Sequence, residues 1–175
     1  MKIKTILFYF FIATFALFSS EMVADDGKKI DNPKLILHAQ ALEQYGTLQK
    51  KGNGFTYVKV NDAYIHTLFE MLAEDGWTKP AYFRRADAPG AHVSVLYEKE
   101  GESLATIPGI GTRFHFEVKE LVQVRARKNQ LIVLRVVSPE LEQYRRQLGF
   151  SPKLLNHEFH ITIAKKAVKR KAPNS

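Results

Sequence analysis

The 175-residue chain contains no cysteine. Disulfides, thiolate metal sites and cysteine nucleophiles are thereby excluded together. It also lacks an uncharged apolar run of the roughly 20 residues that a membrane span needs. The longest such stretch, "TILFYFFIATFALFSS" from Thr5 to Ser20, is shorter and follows the two lysines of "MKIK". That layout predicts a secretory signal peptide over residues 1–24 and a soluble body exported to the periplasm or secreted. Retention of the segment as an N-terminal anchor is the alternative, because cleavage after Ala24 puts Met22, and cleavage after Ser20 puts Phe18, where a small residue is preferred. No zinc-binding helix, Rossmann fingerprint or Gly-x-Ser-x-Gly elbow occurs. The "IPGIG" at residues 107–111 has neither a Lys-Ser/Thr pair nor a following helix, and reads as a turn.

Positive charge, by contrast, is in surplus: 26 Lys and Arg stand against 18 Asp and Glu, a net charge of +8. The surplus favours polyanionic partners such as RNA, nucleotides or anionic lipid, without choosing among them. Part of it sits in "KKAVKRKAPNS", which has no apolar periodicity. Residues 167–175 accordingly read as a solvated, disordered tail, with a phosphate-attracting arm as the alternative. With 45% apolar residues the chain has enough for one core, and a monomer is expected.

Residues 25–53 read as a polar linker leading into a short helix, where Leu37, Ala41, Leu42 and Tyr45 share one side and His38 is a surface or packing residue. The main domain is expected over residues 54–166. There "FTYVKV" (55–60) has strand composition, and "NDAYIHTLFEMLAEDG" (61–76) switches to helical period. Ile65, Leu68, Phe69 and Leu72 fall at i, i+3, i+4 and i+7, Asn61 or Asp62 is the N-cap, Gly76 the stop, and His66 lies off the stripe. A loop containing Pro80, Arg84, Arg85, Pro89 and Gly90 then delivers "AHVSVLYE".

The second half repeats the order. "NQLIVLRVV" (129–137) is a strand and "SPELEQYRRQLG" (138–149) a helix, with Ser138 as N-cap, Pro139 at N1, acidic residues at its positive end, Arg145 and Arg146 at its negative end, and Gly149 as stop. The loop "FSPKLLNHE" then delivers "FHITIAK". Between the halves, Phe114, Phe116 and Val118 alternate with Arg113, His115 and Glu117, as in a half-buried antiparallel strand that connects them.

Strand side chains alternate faces, so His92 and Ser94 share one face and Val93 and Val95 the other; His160 and Thr162 relate to Ile161 and Ile163 in the same way. The expected fold is α+β and two-lobed, a duplicated unit with two facing antiparallel sheets, helices outside and the two His-x-Ser/Thr strands opening onto a central cleft. Two ordinary cross-strand polar positions are the bland alternative, weakened by the recurrence of the motif after the same series of elements.

The paired "HVSV" and "HITI" tetrapeptides resemble the signature of the two-histidine (2H) phosphoesterase superfamily, a resemblance that spans roughly residues 54–165. It implies the fold and activity of RNA 2',3'-cyclic phosphodiesterases, once described as RNA ligases, or of the related 3'-to-5' RNA exonucleases. The exported N-terminus departs from relatives that act on intracellular RNA.

The chemistry explains the residue types. Opening a 2',3'-cyclic phosphate needs a base for water and an acid for the departing sugar oxygen, and imidazole serves as either near neutrality. His92 and His160 are therefore the candidate catalytic residues. Ser94 and Thr162 are the candidate phosphate donors, able to bond the non-bridging oxygens where charge gathers. All of these groups are side chains, so no metal or other cofactor is expected. Arg84, Arg85, Arg113 and Lys153 lie on segments able to reach a phosphate, and Tyr82 and Phe83 on one able to stack a base; surface charge and core packing are the competing readings. His115 and His157 are candidates for supporting positions. The expected activity is metal-independent hydrolysis of cyclic phosphates on RNA ends or nucleotides. The alternatives are exonuclease or ligase action in the same cleft, and an exported module that binds RNA or nucleotides without turnover.

Overall fold

A computed structural model describes residues 27–72, 76–126 and 128–168. The signal-peptide expectation for residues 1–24 and most of the basic tail lie outside the described residues. Twelve elements follow in order: β1 (Lys28–Lys29), α1 (Pro33–Ala41), β2 (Tyr45–Lys50), β3 (Thr56–Lys59), α2 (Ala63–Glu70), β4 (His92–Leu96), α3 (Glu98–Glu102), β5 (Arg113–His115), β6 (Glu117–Ala126), β7 (Asn129–Val137), α4 (Pro139–Gln147) and β8 (His160–Ala167). Residues 25–53 thus hold not only a linker and helix but also β2, a full member of the sheet.

Local chemistry accounts for the helix ends. The Asn32 side chain accepts from the Leu35 N–H at 3.0 Å, with Pro33 starting α1. Ser138 Oγ accepts from the Leu141 N–H at 3.3 Å with Pro139 at the first turn, as the sequence predicts for α4. In α2, Asp62 occupies the N-cap but makes no side-chain cap bond. Its carboxylate is committed instead to the loop before β4, with a consequence for the site described below.

The strands form one eight-stranded sheet in the order β1-β6-β7-β8-β4-β3-β2-β5, every neighbouring pair antiparallel. The broad α+β expectation holds, but the ladder is a single sheet rather than two facing ones. Its halves join at a seam where β4 and β8 share one register pair, Val93 with Ile161, whereas β6 and β7 pair along their whole length. Separate sheets are the expectation because each half carries its own strand, helix and loop; the single bridge between Val93 and Ile161 instead joins the two halves into one ladder.

The expected connecting strand over 111–126 breaks at Phe116 into β5 and β6. These pieces lie near opposite ends of the strand order. Only one residue separates them, so the sheet bends round until its two ends are within that residue's reach. Phe116 is fully buried and its N–H donates to the Gln44 carbonyl at 3.0 Å. The helices cover the same face of the bend, α1 against β6, α2 against β8 and α4 against β5. One core results, containing Leu35, Ile65, Leu68, Val93, Val95, Ile132, Leu134, Ile161 and Ile163. Each such side chain stabilises the fold by about 1.5–3 kcal/mol of burial.

Candidate active site

The seam register determines the arrangement of the site. Val93 stands opposite Ile161, and both are 0% exposed, facing the core. Directly opposed residues in an antiparallel pair project to the same side, and their chain neighbours project to the other. His92 is therefore across from Thr162 and Ser94 across from His160, all four on the face away from the core. The imidazoles occupy one diagonal of this square and the hydroxyls the other. Diagonal Cβ separations in a ladder are about 7–8 Å, enough to seat a phosphate between two rings. All four residues line one open cleft of about 390 Å³.

Each histidine is held by the same device. His92 Nδ1 lies 2.7 Å from the Gly90 carbonyl oxygen, and His160 Nδ1 lies 3.0 Å from the Glu158 carbonyl oxygen. A carbonyl only accepts, so Nδ1 carries the proton in both rings and Nε2 is the basic nitrogen of the neutral form. Burial pushes the His92 pKa down to about 4, against the opposing pull of the Gly90 hydrogen bond; His160, when protonated, and the charges of Lys59 and Lys51 push the same way as burial. His160 is also lowered, first by burial and then by His157 and Arg135. With both pKa values lowered, the two rings are neutral at pH 7 and available as bases. An anion between them favours the charged form of either ring and supplies the condition for one to act as an acid.

The loop before β4 is braced. Asp62 accepts from the Ala91 N–H at 2.8 Å and from the Lys59 ammonium, which also donates to the Val60 carbonyl at 2.9 Å. Gly90, whose carbonyl holds His92, has φ +64, and a Cβ there would come within 2.5 Å of the Asp62 carboxylate. Glycine answers both demands. The Asp62 pKa is lowered despite its own desolvation, through the Lys59 and Ala91 hydrogen bonds.

Arg145 braces the end of β4 against α3 and the loop that leads to β8. Its side chain is 1% exposed; Nη1 donates to the Val95 carbonyl on β4, Nη2 to Glu100 of α3 at 2.9 Å, and Nε to the Ser151 carbonyl at 2.7 Å, in the loop leading to β8. The sequence places Arg145 at the end of a helix as a partner of the helix dipole; the structure makes it the buried tie between β4, α3 and the β8 loop.

Tyr82 reaches the site as the sequence suggests. Its ring meets His92 edge-on at 4.7 Å between centroids, its hydroxyl and that of Thr162 hydrogen-bond to each other, and burial raises its pKa. Tyr57 and Phe55 enclose His92 further, at 5.5 and 5.7 Å. The proposed cationic contacts fare differently. Arg84 is exposed and does not line the cleft. Arg113 lies on the outer strand β5, paired with Glu43 and stacked over Tyr45. Lys153 is paired with Glu158 and does not line the cleft itself. Arg85 pairs with Asp87 at 3.0 Å and Phe83 packs on His66 at 4.4 Å. His115 packs on Tyr45 at 4.9 Å, away from the cleft, whereas His157 lines a groove beside His160.

Among the described residues the cation that lines the cleft is Lys51, which also pairs with Asp87 at 3.7 Å; Phe55, Tyr97 and Leu131 line it too. Lys51 sits in "KKGNG", which reads as linker, and only the pairing of β2 with β3 brings it beside β4. A domain model described as Swiss Army Knife, 2H phosphoesterase domain, matches residues 56–169. The chain belongs to the 2H phosphoesterase family. Comparisons with curated proteins and with solved structures returned no match. The matched span of the 2H phosphoesterase domain contains both histidine strands, Tyr82, Asp62 and Arg145; Lys51 lies just before it.

Proposed function

We propose that this 2H phosphoesterase hydrolyses 2',3'-cyclic phosphates, on nucleotides or RNA ends, with His92 and His160 as paired acid and base. The carrying observation is the square at the seam: two imidazoles on one diagonal and two hydroxyls on the other, lining one cleft. One neutral Nε2 takes a proton from water as the oxygen bonds to phosphorus. The protonated Nε2 of the other ring gives its proton to the departing ribose oxygen as the P–O bond breaks, leaving a phosphomonoester and a free hydroxyl. The direction of attack decides which ring plays which part. Ser94 and Thr162 donate to the non-bridging oxygens, Tyr82 orients Thr162, and Lys51 adds the positive charge. Export through residues 1–24, as a monomer, belongs to the same reading.

The test is turnover of a nucleoside 2',3'-cyclic phosphate by the purified protein in the presence of EDTA, beside its His92→Ala/His160→Ala double variant. Hydrolysis by the wild type alone supports the reading. Equal, negligible turnover of cyclic phosphate and linear RNA by both proteins, with binding retained, would replace it with a non-catalytic binding module.

A further inference from the structure

The cleft does not end at His160. It continues into a groove of about 740 Å³ that shares Tyr97, Leu131 and His160 with it. The sheet register explains the continuity. On β7, Arg135 is opposite His160, Val133 opposite Thr162, and Leu131 opposite Val124 of β6, so these side chains extend the catalytic face across the next two strands. Leu155 forms part of the wall from the loop before β8. It is 53% exposed. Leu155 and Asn156 have φ of 50 and 61, so the backbone turn that presents Leu155 is in a left-handed conformation that a leucine rarely adopts.

Branched aliphatic side chains, Val124, Leu131, Val133 and Leu155, make up much of the groove lining, with Tyr97 and His157 beside them. Its charges are largely committed: Arg135 pairs with Glu120 at 2.9 Å, and Glu158 with Lys153. Arg125 is at the exposed rim. A polyanionic strand continuing from the cleft could stack a base on Tyr97 or His157, but it would also need open cations along its path for its phosphates. Branched aliphatic side chains and paired charges suit an apolar chain better.

We propose that this groove is a subsite for an alkyl chain, esterified to the phosphate seated between His92 and His160, so that phosphoesters with an apolar substituent are a further ligand class of the protein. The inference rests on the proposed phosphate cleft and adds to it a second, apolar determinant of affinity.

Calorimetric titration of the full-length protein with methyl, butyl, hexyl and octyl phosphate, kept below micelle formation, tests the proposal. Affinity is expected to rise about three- to fourfold for each methylene that enters the groove, the gain that burying one such group brings. Leu155→Asn and Val124→Asn should each flatten this rise while leaving methyl phosphate binding unchanged. Asparagine tolerates the left-handed backbone at position 155, so that variant keeps its fold. Equal affinities for methyl and octyl phosphate would overturn the proposal. So would a diribonucleotide 3'-phosphate that binds more tightly than octyl phosphate and loses its advantage in the two variants, since the groove would then be an RNA track. Turnover of a cyclic phosphate, measured on the same samples, separates the two readings. Hydrolysis without a chain-length effect refutes the subsite alone, and a chain-length effect without hydrolysis refutes the proposed reaction alone.

Discussion

His92 Nδ1 rests 2.7 Å from the carbonyl oxygen of Gly90, two residues back along its own chain. The bond fixes the tautomer and turns Nε2 toward the cleft, and His160 repeats it with Glu158. Positioning through the backbone makes the His92 ring depend on whatever holds residues 90 and 91. Asp62 and Lys59 do so.

Replacing Asp62 should therefore impair turnover without touching substrate. Asp62→Ala removes both the Ala91 anchor and the Lys59 partner, and a misplacement of about 1 Å can cost on the order of a hundredfold in rate. Asp62→Asn keeps an oxygen for the Ala91 N–H and should recover part of the loss. The measurement is kcat and KM for cyclic phosphate hydrolysis: a loss confined to kcat is expected, and equal activities of the Ala and Asn variants would refute the positioning role.

The imidazoles themselves should matter more. His92→Ala and His160→Ala are each expected to lower kcat by about 10² to 10⁴-fold, and the double variant by less than the product, because acid and base act in one step. Ser94→Ala and Thr162→Ala should cost about tenfold to a thousandfold. Steady-state kinetics at saturating cyclic phosphate read these values directly.

The depressed pKa values also govern stability. An unfolded imidazole protonates near pH 6.5, whereas His92 in the fold resists protonation until about pH 4. Between these values the unfolded chain binds more protons, so stability falls as the pH is lowered through that window and is complete above it. Urea unfolding at pH 7 and at pH 4.5 should show this loss, and His92→Asn should make it smaller. An unchanged loss in the variant would mean that His92 does not contribute.

The two histidine strands were legible from sequence because alternation is a local property: Val93 and Ile161 had to face the core, and their polar neighbours the other way. The caps of α4 were equally local. The seam was not legible, because a single Val93–Ile161 pair between two central strands leaves no periodic trace. Lys51 was invisible for the same reason, its proximity to His92 passing through β2 and β3. Arg84, Arg113 and Lys153 lie on segments whose sequence allows them to reach a phosphate, but a segment's place in the chain does not say which way an exposed side chain turns or which carboxylate it meets.

Arg145 offers a test of how β4 is tied to α3 and to the loop before β8. Removing one member of a buried ion pair typically costs about 3–5 kcal/mol, because the partner is left uncompensated. Arg145→Ala would strip the half-buried Glu100 of its counter-charge, leaving it the Tyr97 N–H, and would strand the carbonyls of Val95 and Ser151. Chemical denaturation should show a loss of that order, and Glu100→Gln a smaller one, since the guanidinium keeps its two carbonyls.

Lys51 should reveal itself in both binding and pH dependence. It lines the cleft, and its charge is one of those that hold the His92 pKa down. Lys51→Met removes an attraction for the phosphate and should raise KM for the cyclic substrate. It also removes a repulsion from the protonated imidazole, so the His92 pKa should rise toward its ordinary value. His92 must be neutral whenever it acts as the base, so in that direction of attack the acid limb of kcat/KM moves to higher pH in the variant. In the opposite direction His92 is the acid, and it is the alkaline limb that moves up. A pH profile of wild type and Lys51→Met therefore assigns the role of His92 from the limb that shifts, and a profile in which neither limb moves would remove Lys51 from the electrostatics of the site.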